Sequence, residues 1–217
     1  MTDPTTKKVL SHAYILGGSP CSGKSIIAQR LVGEFSLQCY KVDNFEKAHS
    51  SRIDPDNHPV MSNYAKMDWD ERWMRPVEKQ VEELFDYYRE RFMLIAQDLR
   101  KFDQEKPIIV EGAAILPEVM EGNRVKRSRV IFLVPTKEFQ IQHYRQRLWT
   151  RQILKECKYP EQAFVNWMMR DHLFGIEILQ QAKKRNYKTM LIDGRFTIDQ
   201  QYQRVKDCFD LYDSKDT

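Results

Sequence analysis

Ala13-Tyr14-Ile15-Leu16-Gly17-Gly18-Ser19-Pro20-Cys21-Ser22-Gly23-Lys24-Ser25-Ile26-Ile27 is the stretch of this chain on which its fold turns. Ala13 to Leu16 form a short apolar run that ends in two glycines, the pattern of a buried parallel strand breaking into a tight turn. From Lys24 the period changes: Ile26, Ile27, Arg30, Leu31 and Phe35 fall at helical spacing, with Ser25 in the first turn. Between the two, Gly18 to Ser25 matches G-x-x-x-x-G-K-[ST] at every fixed position. Glycines permit backbone angles that turn successive N–H groups inward, and the helix amino terminus adds the positive end of its dipole. A loop of this kind therefore cradles phosphate oxygens. Lys24 is expected to reach the β and γ phosphates of a nucleotide, and Ser25 to offer its hydroxyl to Mg²⁺. Gly18, Ser19, Pro20, Cys21, Ser22, Gly23, Lys24, Ser25 and Ile26 are thus candidate nucleotide contacts.

Outward from this unit, strands alternate with helices. A second strand spans residues 38–42 and delivers Asp43 at its carboxyl end. Residues 46–66, rich in Ser, Asp, Asn, His and Pro, show no period of their own and are expected to form a long loop, the first candidate for an acceptor-side segment. Asp68 can cap a helix beginning near Trp69, and Pro76 restarts it at a first-turn position. Val77, Val81, Leu84, Phe85, Tyr88, Phe92, Ile95 and Leu99 then keep a three-and-four spacing, one apolar stripe of a long core helix. Residues 107–110 and 130–134 are dense apolar strands, the first followed by Glu111 and Gly112. Thr136 can cap the next helix, which carries Arg145, Arg147 and Arg151 before a break at 155–160. A helix over 161–184, a strand over 189–192 ending at Asp193 and Gly194, and a helix over 198–211 complete the chain. Residues 1–11 are polar and expected to be loose. The alternation predicts one α/β domain with a parallel sheet covered on both faces.

The bulk numbers narrow the partners. With 217 residues the chain suits a single domain; 35 basic and 31 acidic side chains, mixed along its length, leave a formal charge of +4. That excess suits an anionic ligand but lacks the concentrated basic stripe of a nucleic-acid binder. Cys21, Cys39, Cys157 and Cys208 are far apart in sequence, with no metal-binding spacing, and read as reduced thiols. No apolar run approaches the roughly 20 residues of a membrane span, and no signal pattern opens the sequence, so a cytoplasmic protein with no membrane partner is expected. Oligomeric state is left open.

On the Gly18–Ser25 loop and its strand and helix, the chain resembles the P-loop small-molecule kinases of the nucleoside and nucleotide kinase-like group. The resemblance implies a three-layer P-loop NTPase fold, a five-stranded parallel sheet in the order 2-3-1-4-5 and a helical lid at about 145–165. It also implies transfer of the γ-phosphoryl group of Mg-ATP to a small-molecule acceptor, whether nucleoside, nucleotide or small phosphorylated metabolite. Asp43-Asn44-Phe45 is similar to the Asp-x-Phe segment of uridine kinase-like enzymes, which implies that Asp43 is a general base or acceptor anchor with Phe45 beside it. Asp43 can equally cap the next turn. Val110-Glu111-Gly112 resembles the Walker B region, with Glu in place of the commoner Asp, so Glu111 is a candidate for a magnesium-bound water or for the acceptor. Glu111 to Pro117 is also faintly similar to a segment of 2-phosphoglycerate kinases.

Further candidates follow from position. Arg147 and Arg151, four apart, are expected to share a face and to act as lid arginines on the transferring group. Asp171 falls on the apolar side of its helix, where it can hold a lid arginine, bind acceptor or form a purely structural pair. Asp193 to Thr197 resembles the loop that borders the adenine in these kinases, which implies a place for Arg195 against the base. Tyr64, Trp69 and Trp73 can stack on an acceptor ring or pack in the core, and His49 and His58 read as loop residues without a metal. Rival readings are a nucleotide-binding switch without an acceptor, against which no N-K-x-D segment is present, and a polynucleotide or toxin-like kinase.

Overall fold

The computed structural model describes residues 3–123 and 125–212. Five strands, β1 (Ala13–Gly18), β2 (Gln38–Lys41), β3 (Ile108–Glu111), β4 (Val130–Pro135) and β5 (Lys188–Ile192), form one sheet in the order β2-β3-β1-β4-β5. Every pairing is parallel. Leu16 and Lys41 are both in register with Glu111, so β2 and β3 end at one level while β1 runs on to Gly18 beside β4. In parallel α/β sheets the crevice beyond the strand carboxyl ends is where ligands bind, and all the strand-end candidates lie on that edge.

Side-chain alternation along the strands explains the layers. Ile15, Val110, Phe132 and Val134 bury against one face, with Phe92 and Ile95 of α6 (Val77–Leu99) and Phe174 and Ile178 of α10 (Pro160–Lys184). Tyr14, Leu16, Ile109, Ile131 and Leu133 point the other way, onto α2 (Lys24–Phe35) and α11 (Ile198–Cys208). A third cluster, Trp73, Tyr144, Phe164, Trp167 and Met168, joins α10 to α5 (Trp69–Trp73) and α8 (Lys137–Gln146) beside the carboxyl edge.

Local signals hold where they are strong. Thr136 caps α8 by accepting from the Phe139 amide, and Asp68 and Glu71 complete a capping box on α5. Three expectations are corrected. The amino terminus is not loose: α1 (Pro4–Ser11) is capped by Asp3 and buries Val9 and Leu10. Residues 46–66 are not a structureless loop but hold α3 (Glu46–Ser50) and α4 (Pro59–Lys66). Arg147 and Arg151 do not share one helix face, because Arg147 takes an extended conformation between α8 and α9 (Leu148–Lys155). A short α7 (Pro117–Gly122) completes the elements. Among the described residues no helix is long and apolar enough to cross a membrane.

Candidate functional site

The glycine loop leaves β1 under tight steric control. Gly18 has φ +116°, and a Cβ there would lie 2.0 Å from the Leu133 carbonyl oxygen, so only glycine fits. The Ser19 amide donates to that same oxygen at 3.1 Å and ties the loop to β4. Cys21 sits at φ +65°, which costs a residue with a Cβ about 1–2 kcal/mol, and Gly23 opens α2 at φ +79° with no side-chain cap. Strain of this kind concentrates at functional segments. Cys21 to Ser25 lead into and open α2, whose amino terminus has no side-chain cap. Five consecutive donors at an uncapped helix terminus line a cavity of about 250 Å³ with Asp43, Glu111 and Arg147, an arrangement that fits phosphate oxygens.

Lys24 closes the loop from within. Its Nζ donates to the Ser19 carbonyl at 2.6 Å and to Ser22 Oγ at 2.9 Å, and the side chain is buried. Burial pushes the ammonium pKa down, an effect opposed by the carboxylates of Glu111 and Asp43. Glu111, at the end of β3, is 3 % exposed. Burial raises its pKa, while the Lys24 charge and a hydrogen bond from the Ser25 hydroxyl pull it back. The Ser25 hydroxyl and the Glu111 carboxylate therefore adjoin at the cavity wall, two oxygen donors of the kind Mg²⁺ takes alongside nucleotide phosphates. Among the described residues no group of three or more His, Cys, Asp or Glu side chains is placed to hold a metal by itself.

Asp43 lies in a 3-10 turn, Val42–Phe45, that continues β2. It lines the loop cavity and also a second cavity of about 490 Å³, bounded by α4, α5, α6, α9 and α10. That turn is anchored by a buried polar network. Arg91 Nη2 donates to the Val42 carbonyl at 3.1 Å and its Nε donates to His49 Nδ1 at 3.1 Å. Arginine only donates, so His49 carries its proton on Nε2 and donates to Asp98 Oδ2 at 3.0 Å. Asp98 also accepts from Tyr40 Oη, from both Arg52 terminal nitrogens at 2.9 Å and from Lys101 Nζ at 2.9 Å. Burial pushes the His49 pKa down, against the pull of Asp98. His49 is thus a buried structural residue rather than a loop residue, and His58, also buried, accepts from the Asp54 amide.

Other candidates are redistributed. Arg147 lines the loop cavity, with its guanidinium 5.3 Å from the Tyr144 ring and 5.7 Å from Trp149. Arg151 is exposed and, among the described residues, bonds only the Arg145 carbonyl, at 3.4 Å. Asp171 is spent inside the protein: its carboxylate accepts from Arg170 and from Tyr144 Oη, and its carbonyl accepts from Ser19 Oγ at 3.3 Å, so α10 buttresses the loop. Arg170 in turn lines the larger cavity, stacked 4.6 Å over Trp73. Phe45 packs on Tyr40 at 4.5 Å and lines neither cavity. At Gly112, with φ +155°, a Cβ would lie 2.7 Å from Val42 Cβ, so glycine lets this turn come close to the Asp43 turn. Arg195 is exposed, paired with Asp193 at 2.5 Å, and lines neither cavity. Of the stacking candidates, Tyr64 and Trp73 line the larger cavity, while Trp69 packs against the tryptophan cluster.

Sequence reasoning missed Arg91 and Asp98. The available signal was their seven-residue spacing on α6, which puts both charges on one face beside the buried Phe92, Ile95 and Leu99.

No protein-family profile matches the chain, and no curated protein sequence is similar to it. Two solved structures align along most of its length. A protein from Eubacterium ventriosum is 15% identical, with 92% of this chain and 98% of that one covered, at a TM-score of 0.43. A protein from Chloroflexus aurantiacus described as "a putative kinase" is 11% identical, with 90% and 96% covered, at a TM-score of 0.41. At these scores the likenesses carry no argument about chemistry, which rests on the residues of the site: a donor-rich loop cavity and a larger cavity that share Asp43.

Proposed function

We propose that this chain is an ATP-dependent phosphotransferase of the P-loop kinase type, moving the γ-phosphoryl group of Mg-ATP to a hydroxyl of a small molecule. The observation that carries the reading is that Asp43 stands at the wall of both cavities, one lined by the glycine loop and one large enough for a small molecule. The amides of Cys21 to Ser25 bind the phosphate tail, and Lys24 exchanges its internal bonds to Ser19 and Ser22 for phosphate oxygens. Ser25 and Glu111 would hold Mg²⁺, whose charge, when bound, offsets that developing on the transferred group. Asp43 orients the acceptor hydroxyl and accepts its proton as the hydroxyl oxygen bonds to the γ phosphorus and the bond to the β–γ bridging oxygen breaks, leaving ADP. Arg147, facing the loop cavity, adds positive charge at the transferring group. Catalysis here is positioning and electrostatics.

Calorimetry with Mg-ATP, followed by an ADP-release assay against nucleosides, nucleotides, sugars and phosphorylated acids, tests the reading. Lys24→Ala is expected to abolish turnover in a folded protein. A well-folded wild-type chain that takes up no purine triphosphate in the presence of magnesium removes the kinase reading. ATP hydrolysis indifferent to every acceptor points to a nucleotide switch instead.

A further inference from the structure

The larger cavity has a lining specific enough to name the class of its occupant. Tyr64, Tyr87 and Tyr88 contribute rings that meet edge to face, with centroids 5.3 and 5.9 Å apart. Trp73 and Trp167, stacked at 4.5 Å, and Trp149, 5.6 Å from Trp167, contribute a second aromatic group. Walls of this kind favour a flat ring, which stacks or meets them edge-on over a large apolar area at little entropic cost.

The charges select further. Four arginines line the cavity, which at first resembles a phosphate site. Three are already neutralised: Arg75 is paired with Glu83, Arg91 with Glu46 at 2.6 Å, and Arg170 with Asp171 at 2.6 Å. Arg72 has no carboxylate partner among the described residues and lies 4.6 Å from the centres of the Tyr64 and Trp69 rings. Asp43 has no ion-pair partner among them either. After pairing, one positive and one negative group are left. A phosphate dianion in this cavity would have one arginine against two charges and the Asp43 carboxylate besides, and burying charge without compensation is costly. A hydroxyl meets the same carboxylate as a hydrogen-bond donor, with no charge to offset.

Resting on the reading of Asp43 as the acceptor's anchor, we infer that the acceptor is an unphosphorylated aromatic alcohol: a flat ring against the tyrosine and tryptophan walls, its hydroxyl at Asp43, and at most one negative group at Arg72. The hydroxyl oxygen forms the new P–O bond, its proton passes to Asp43 and on to solvent, and ADP leaves with the bridging oxygen. The class excludes ringless phosphorylated acids and disfavours nucleotides relative to their own nucleosides.

The test is calorimetric titration of the wild-type chain with thymidine, cytidine and pyridoxine. The 5′-monophosphate of each, and 3-phosphoglycerate, are scored by displacement of the bound alcohol, so that occupancy of the glycine loop does not count. At least one alcohol is expected to bind, and to bind about tenfold or more tightly than its phosphate. 3-Phosphoglycerate should not displace it, and Trp149→Ala, which changes a partly exposed residue, should weaken it several-fold. Binding of none of the three alcohols at millimolar concentration, or tighter binding of a phosphate than of its alcohol, overturns the inference. The two readings fail separately: alcohol binding without ATP uptake would remove the phosphotransferase and keep the ligand class, and ATP turnover on a ringless phosphate would do the reverse.

Discussion

Replacing Asp98 by Asn tests whether the buried network beneath the Asp43 turn holds that turn in place. Asp98 is 2 % exposed. Burial pushes its carboxyl pKa up, but hydrogen bonds from Arg52, Lys101 and His49 outweigh burial and bring it from 3.8 down to about 2. A difference of nearly two units between folded and unfolded chain corresponds to about 2–3 kcal/mol of stability. The folded pKa is depressed, so this contribution is fully present above pH about 4 and disappears as pH falls through about 2. Asp98→Asn keeps the size and an acceptor for the His49 Nε2 proton but removes the charge. At pH 7 the variant should therefore lose about 2–3 kcal/mol in urea unfolding, an appreciable part of a typical domain's stability. The gap between wild type and variant should close between pH 4 and pH 2, which separates Asp98 from the other acidic groups titrating in both proteins. Hydrogen exchange should quicken in residues 42–66 ahead of the β1 core. Equal stability at pH 7, within about 0.5 kcal/mol, or a gap that persists unchanged at pH 2, would refute the argument.

Three further outcomes follow from the geometry. Gly18→Ala places a Cβ 2.0 Å from the Leu133 carbonyl at a φ that suits glycine, and should cost about 3 kcal/mol or more, visible as a melting temperature lower by about 6–12 °C. Arg147→Ala should lower the rate of ATP turnover by about a hundredfold, and Arg151→Ala, removing an exposed side chain that lines neither cavity, should leave it within about twofold; equal losses would restore the paired role expected from their spacing. Asp43→Asn should leave Mg-ATP affinity unchanged in calorimetry while reducing transfer by about 10²–10⁴-fold, and a variant that transfers at the wild-type rate would remove Asp43 from the chemistry.

The local signals in this chain were legible because their causes are local. Strand, glycine turn and helix over Ala13 to Phe35 follow from an apolar run, glycines that permit positive φ and a change of period, all within two dozen residues. The caps at Thr136 and Asp68 reach only three residues ahead. Alternation of strands and helices was enough to predict a parallel sheet with both faces covered. Segment 46–66 escaped because its helices are held from a distance. The amides of Val60 and Met61 at the start of α4 donate to Glu90 of α6, at 3.0 and 2.8 Å, and α3 is fixed through His49 to Asp98. Helices of five and eight residues have little stability of their own, so no local pattern announces them. Charge partners escaped for the same reason: a sequence shows that Asp171, Arg147 and Arg91 are charged, but only the packing of α6, α8 and α10 against the sheet edge brings the Tyr144 hydroxyl to Asp171 and the Arg91 guanidinium to His49, turns Arg147 toward the glycine loop and leaves Asp43 between two cavities. Backbone conformation is chosen among near neighbours in sequence, whereas the pairing of buried charges is chosen among neighbours in space, and those are set only when the layers close.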